Sequence, residues 1–225
     1  MNLRSLLLFS IIFYSIPVIA QEVTPESGIN RKGEDGLRQG MWVRYHTNGN
    51  VSQITNYVDD KKLGPMFTFF PEGVIQSEEV FLNDVYHGVQ KYYDKLGRKI
   101  QQIEYVHGEL NGHYIEYHPN GNPRSDFMMV KGVKDGPSIW YHENGKLSSE
   151  YNYVKGKIDG EVKFYFPNGN LKSITTFKDN EMSGPFIEYH DNGKVKIRGQ
   201  YKKGKKDGEW ITYDFQGNPI QVENF

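Results

Sequence analysis

Eight glycines fall at an unbroken spacing of 24: Gly40, Gly64, Gly88, Gly112, Gly136, Gly160, Gly184 and Gly208. Nine residues after each stands another, the series Gly49, Gly73, Gly97, Gly121, Gly145, Gly169, Gly193 and Gly217. Four residues before each leading glycine come Gly36, Asp60, Asp84, Gly108, Gly132, Gly156, Asn180 and Gly204. All are residue types that tolerate positive φ. A period held through eight registers without an insertion marks a repeat architecture, one supersecondary unit copied and stacked.

Aromatic residues keep the same beat. Tyr45, Phe69, Tyr93, Tyr117, Tyr141, Tyr165, Tyr189 and Tyr213 lie five residues after the leading glycine. Seventeen after it lie Tyr57, Phe81, Tyr105, Met129, Tyr153, Phe177, Tyr201 and Phe225. Each unit therefore reads as two extended segments, in the first unit about Trp42 to His46 and Val51 to Tyr57. Asn48-Gly49 separates them, and Asn-Gly recurs at Asn120, Asn144, Asn168 and Asn192. That pair between apolar strands predicts a type I′ hairpin turn, which needs positive φ at both central residues. The return connection, as in residues 153–160, carries its own glycine and a closing Asp-Gly pair, also read as a turn.

The predicted fold is all-β: an elongated antiparallel meander, or open solenoid, of eight 24-residue β-hairpin repeats with about sixteen strands. Because 24 is even, a given repeat position always points to the same face, so like residues stack on like. Successive units stand two strands apart, ~9.5 Å, and the array extends roughly 75 Å. Residues 21–39 form a leader that either caps one end or stays disordered before Gly36.

Composition agrees with strands rather than helices. Aromatics are 14% of the chain, and Tyr, Phe, Val, Ile, Asn and Gly dominate where a helical domain would need Ala and Leu. With no cysteine, disulfides and Cys-based zinc sites are excluded. A formal net charge of −1 offers no field to draw nucleic acid.

Residues 1–20 stand apart. Arg4 lies in a short positive region, an apolar run follows from Leu6 to Ile16, and Val18-Ile19-Ala20 precedes Gln21 in a signal-peptidase pattern. The apolar run is shorter than the ~20 residues a spanning helix needs, and Pro17 interrupts it. The expectation is a cleaved signal peptide and an exported protein, periplasmic or extracellular. Cleavage leaves 26 basic against 28 acidic residues.

The unit reads Gly-x-aromatic-x-x-Tyr-His-x-Asn-Gly, then a second aromatic, then Gly-x-x-Asp-Gly; residues 112–122 and 184–194 show it most clearly. This pattern resembles the MORN repeat variant, found in the bacterial YwqK-like antitoxin family proteins. The resemblance runs from Gly36 to Phe225 and implies a binding or scaffolding role, with an antitoxin or immunity role against a toxin partner outside the cytosol. The lipid-binding role of eukaryotic MORN proteins is disfavoured, since their usual Tyr-x-Gly-x-Trp core and any polybasic cluster are missing here.

Catalytic and metal chemistry find little footing. His46, His118, His142 and His190 share one repeat position, but consecutive copies stand ~9.5 Å apart. Two of them would have to lean strongly together to share an ion with ~2.0–2.1 Å bonds. Asp135, Asp159 and Asp207 are assigned to Asp-Gly turns. No nucleophile-elbow, phosphate-loop or calcium-loop spacing is present. The expectation is no enzyme, no cofactor and no metal.

Units differ most four residues after the leading glycine: Arg44, Thr68, Tyr92, Glu116, Trp140, Phe164, Glu188 and Thr212. This position faces away from the first aromatic ladder. Tyr92, Trp140 and Phe164, beside His118 and His142, form the candidate interaction surface. One reading is a patch receiving a polypeptide or a sugar ring; the other is a core covered by the sheet's own curvature. The functional expectation is an exported scaffold for protein–protein interaction, with a cell-envelope glycan-binding module as the alternative.

Overall fold

The computed structural model describes residues 28–225. The expected signal segment and the first part of the leader lie outside the described residues. The described residues form one antiparallel sheet of nineteen strands with no helix. Sixteen arms, two per unit, make a meander in which each pairs with the next in sequence. The first arms of the third and sixth units break at His87 and Asp159, giving Val85–Tyr86 with Gly88–Tyr93, and Lys157–Ile158 with Gly160–Tyr165. The remaining strand is Arg31–Lys32.

That short strand pairs with the open side of Arg38–Tyr45. Asn30 continues the cover, accepting from the Val43 amide at 2.7 Å and donating to the Val43 carbonyl at 3.1 Å. Trp42 Nε1 donates to the Arg31 carbonyl. Backbone groups that an edge strand otherwise leaves unpaired are thereby satisfied.

Two details of the connections differ from the sequence reading. The Asn-Gly loops are not type I′ turns. Gly145 has φ 80°, but Asn144 is not among the residues with positive φ. Gly145 N donates to His142 O and His142 N to Lys146 O, with Asn144 Oδ1 accepting from Lys146 N. This is a type I turn closed by a left-handed glycine, and the paired strands end at Tyr141 and Leu147, too far apart for a two-residue loop. The type I′ turns sit at the other margin. Val154 pairs with Lys157, and between them Lys155 has φ 50° and Gly156 φ 82°.

The leading glycines and the Asp-Gly pairs are likewise not turns. The first arms start before them, at Arg38 rather than Trp42 in the first unit. Asp135 and Asp207 lie inside Val133–Tyr141 and Lys205–Tyr213, and Asp159 at the break in its arm. Each leading glycine pairs with the second ladder residue of its own unit, as Gly136 with Tyr153. The neighbouring strand sees a bulge here: Tyr57 pairs with Lys62 but Thr55 with Met66. Asn56 fills this bulge by donating to Leu63 O at 3.0 Å. The positive φ of the glycines serves the bulge.

Both margins are stitched unit to unit. At the type I′ side Gly156 N donates to Lys134 O, and where the turn carries Asp or Asn a second bond forms, as from Ile158 N to Asn180 Oδ1. At the other side Asn120 and Asn144 donate to the carbonyls of Glu143 and Pro167. The bond at the type I′ margin recurs between all successive units, as expected of a quasi-one-dimensional fold, whereas the second and third units carry Glu72 and Leu96 in place of the asparagine at the other margin.

Most buried side chains lie on one face, Ile211 beside Trp210 being buried on the other. Tyr57, Met66, Phe81, Ile103, Val162 and Trp210 are buried together with Thr55, Ser77, Gln90, Ser125 and Ser138. Registers such as Trp42–Thr55 and Gly40–Tyr57 place this set on one face. The first tyrosine ladder points to the other face, where Tyr45 is 57% exposed.

Candidate interaction face

Two rows of residues cross the buried-side face perpendicular to the strands. One runs Tyr92, Gln101, Glu116, Ser125, Trp140, Ser149, Phe164, each paired with the next. The adjacent row contains Tyr114, Phe127, Ser138 and Tyr151. Large and small side chains alternate like a checkerboard: Trp140 between Ser125 and Ser149 in its own row, Ser138 between Phe127 and Tyr151 in the other.

That alternation lets rings lean diagonally over serines. Trp140 lies 4.9 Å from Phe127 and 4.9 Å from Tyr151, centroid to centroid, at interplanar angles of 56° and 66°. Tyr114 stacks on Phe127 at 5.8 Å, and Phe164 meets Tyr151 edge-on at 5.9 Å. Five rings, Tyr114, Phe127, Trp140, Tyr151 and Phe164, make one unbroken chain of contacts across the middle units, in geometries favoured by ring quadrupoles. Beneath them Ser125 and Ser138 are fully buried, while Phe164 at the end of the run is 38% exposed.

The five proposed site residues do not form one group. Trp140 and Phe164 come together through Tyr151. Tyr92 shares their face but stands four strands from Trp140, ~19 Å away. It belongs to a polar cluster where the buried Glu79 accepts from Ser77 Oγ and Tyr86 OH. Burial pushes the Tyr92 phenol up, and the Glu79 charge adds to that. His118 and His142 sit at the Asn-Gly margin and do not join the run. Each Nε2 donates to the carbonyl of the next unit's ladder residue, His118 to Tyr141 at 3.0 Å and His142 to Tyr165 at 3.1 Å. His46 and His190 repeat the bond to Phe69 and Tyr213. The shared histidine position is a stitch between units. Among the described residues no group of three or more His, Asp or Glu could hold a metal ion.

Sequence reasoning placed Tyr114 at the aromatic position of the unit, shared with Trp42, Phe186 and Trp210, without adding it to the site, and missed Phe127 and Tyr151, whose shared repeat position holds Thr, Glu, Ile or Gly in other units. It also missed the serines, which read as ordinary strand polar residues. The cation register was missed too: Arg38 lies over the Tyr57 ring at 3.9 Å, Lys62 over Phe81 at 4.3 Å and Lys134 over Phe127 at 3.7 Å.

The opposite face carries polar pairs between first-ladder tyrosines and carboxylates one unit back. Tyr93 OH donates to Glu78 at 2.8 Å and Tyr165 OH to Glu150 at 2.7 Å. Burial and then these carboxylates push both phenols up to about 12.

The family described as MORN repeat variant matches five stretches of the chain, residues 38–59, 110–128, 134–155, 158–179 and 182–203. These stretches lie within the antiparallel β-hairpin repeat array. No curated relative matches it. Among solved structures it is similar to the crystal structure of TcdB2-TccC3-TEV, with 14% identity, a TM-score of 0.27, and coverage of 83% of this chain and 13% of that one. It is also similar to the Photorhabdus luminescens Tc holotoxin pore, with 13% identity, a TM-score of 0.26, and coverage of 85% and 13%. The chain spans about an eighth of the length of these chains.

Proposed function

From the premise that five units carry the MORN repeat variant, we propose that this chain is an exported binding scaffold engaging a protein partner through the aromatic face around Trp140. The observation that carries this is the five-ring run from Tyr114 to Phe164, buried at its serine floor and open at its Phe164 end. Rigid aromatic side chains pre-packed on a sheet offer contact area at little entropic cost, the usual composition of an interface centre. In this reading the protein acts by binding rather than turnover. An immunity or antitoxin role would place the partner toxin outside the cytosol, in keeping with the signal pattern of residues 1–20.

A glycan-binding reading draws on one further observation. Tyr114 accepts a hydrogen bond from Gln101, and Glu116 lies beside it, so an amide and a carboxylate flank a ring as in sugar sites.

The test is affinity capture from the native envelope fraction, with the chain from Gln21 onward and a Trp140→Ala, Phe164→Ala variant checked by circular dichroism. A protein held by the wild type and released by the folded variant supports the scaffold. Retention of the same protein by both would move the interface elsewhere. Absence of any retained protein, with glycan-array binding that the variant loses, would replace the scaffold by the glycan reading.

A further inference from the structure

The cations two residues before the leading glycine, Arg38, Lys62, Lys134 and Lys206, share one register and each covers a ring, but their charges are not satisfied alike. Arg38 also meets Asp60 at 2.6 Å, and Lys206, over Trp210 and Phe225, meets Glu223 at 4.0 Å. Lys134 has no carboxylate within ion-pair distance among the described residues. Its ammonium lies 3.7 Å from the Phe127 centroid, 5.3 Å from Trp140 and 5.2 Å from Tyr153. Burial lowers its pKa, and the more distant Glu116 only partly offsets this. Cation–π contact holds such a group without neutralising it.

A cavity of about 230 Å³ opens beside it, lined by Leu110, Tyr114, Glu116, Phe127, Met129 and Lys134. Its wall carries two charged residues, Glu116 and Lys134. Glu116 already receives Ser125 Oγ at 3.1 Å and Arg124 at 3.4 Å. Arg124, outside the cavity wall, takes up the Glu116 charge, and Lys134 is left on the wall without an ion-pair partner among the described residues. The rest of the wall is apolar.

We infer that this cavity receives an acidic side chain flanked by an apolar one from the polypeptide partner, its carboxylate on Lys134 and the apolar group over Tyr114 and Met129. The inference rests on the scaffold reading and names the chemistry of the anchor. An added carboxylate gives Lys134 a charge-assisted bond in a partly desolvated place, where such bonds are strongest.

The test uses two probes, N-acetyl-Phe-Glu-amide and N-acetyl-Phe-Gln-amide, titrated into the full chain while the Met129 methyl resonance is followed. The expected result is a Met129 shift with both and about tenfold tighter binding of the glutamate probe, the worth of one hydrogen bond to a charged group. Lys134→Met should remove the difference, and Lys134→Arg should keep it. Equal affinities in the wild type, a silent Met129, or a preference surviving Lys134→Met would each overturn the inference. The wild-type comparison does not depend on either variant folding. A partner captured as described above, with no carboxylate preference here, would remove this inference alone; a failed capture would remove the scaffold reading whatever the dipeptides do.

Discussion

The indole of Trp210 rests on the backbone of Gly199: a Cβ built at Gly199 would fall inside the contact distance of three indole ring atoms. Gly199 occupies a register that holds Thr55, Ile103, Phe127 and Tyr151 in other units. The missing side chain lets Trp210, 5% exposed, stack on Phe186 at 5.4 Å and meet Tyr201 at 5.0 Å. Gly199→Ala therefore forces a buried indole to move. The φ of Gly199 lies outside the left-handed region, so backbone strain does not contribute. The expected loss is about 1–3 kcal/mol, the usual cost of overpacking, read from urea denaturation. A variant as stable as the wild type would mean the indole can be accommodated elsewhere.

Ser138 makes the opposite case. It is fully buried, and its Oγ has no hydrogen-bond partner among the described residues. Ser138→Ala keeps the small volume that Phe127, Trp140 and Tyr151 need and removes an unpaired hydroxyl. The expected outcome is a stability unchanged or raised by up to about 1 kcal/mol. Ser138→Val should instead destabilise by crowding the rings. A loss on Ser138→Ala larger than on Ser138→Val would rule out this account of the checkerboard.

Lysine is an unfavourable residue for the first position of a type I′ turn. Lys155 holds φ 50°, a conformation that costs an ordinary L-residue roughly 1–2 kcal/mol and asparagine less. Lys155→Asn should stabilise the protein by about 0.5–1 kcal/mol in thermal or urea unfolding. No gain at residue 155 would count against the turn assignment.

His113 and Asp126 give a pH-dependent contribution. Their side chains meet at 2.8 Å, and the hydrogen bond to Asp126 raises the His113 pKa above 6.5 while burial pulls it down. A raised folded value means the protonated form is preferred by the fold. The stability it adds is full below pH 6.5 and is lost as pH rises through the folded value. With the imidazole side chain 44% exposed, screening limits it to at most about 1 kcal/mol. Asp126→Asn should bring the His113 titration, followed by NMR, back toward the ordinary value. It should also cost more stability at pH 5.5 than at pH 9. Equal losses at the two pH values would show that the pair is not coupled to folding.

Much of the architecture was legible in the residues because it depends on local periodicity. A 24-residue beat in Gly40 through Gly208 sets eight units, and short connections force antiparallel neighbours. An even period keeps Tyr45 and its counterparts on one face and Trp140 with Tyr153 on the other. The turns were less legible, because a glycine at positive φ after Asn is compatible with both a type I′ turn and a type I turn closed by a left-handed glycine. Which one forms depends on the number of residues left between the last paired positions, Tyr141 and Leu147.

The candidate site was legible only in part, at Trp140 and Phe164. Tyr114, Phe127 and Tyr151 joined them because neighbouring strands set small residues beside large ones, a match of volumes between residues 11 to 13 positions apart in sequence. The histidines kept their repeat position but lost their presumed place beside the rings, because a carbonyl one unit away offered Nε2 a partner. Repeat number, strand order and face are properties of the backbone pattern and were settled by the sequence alone. Turn type, ring contacts and the lack of an ion-pair partner for Lys134 among the described residues depend on side chains meeting across strands, and those only the tertiary structure decides.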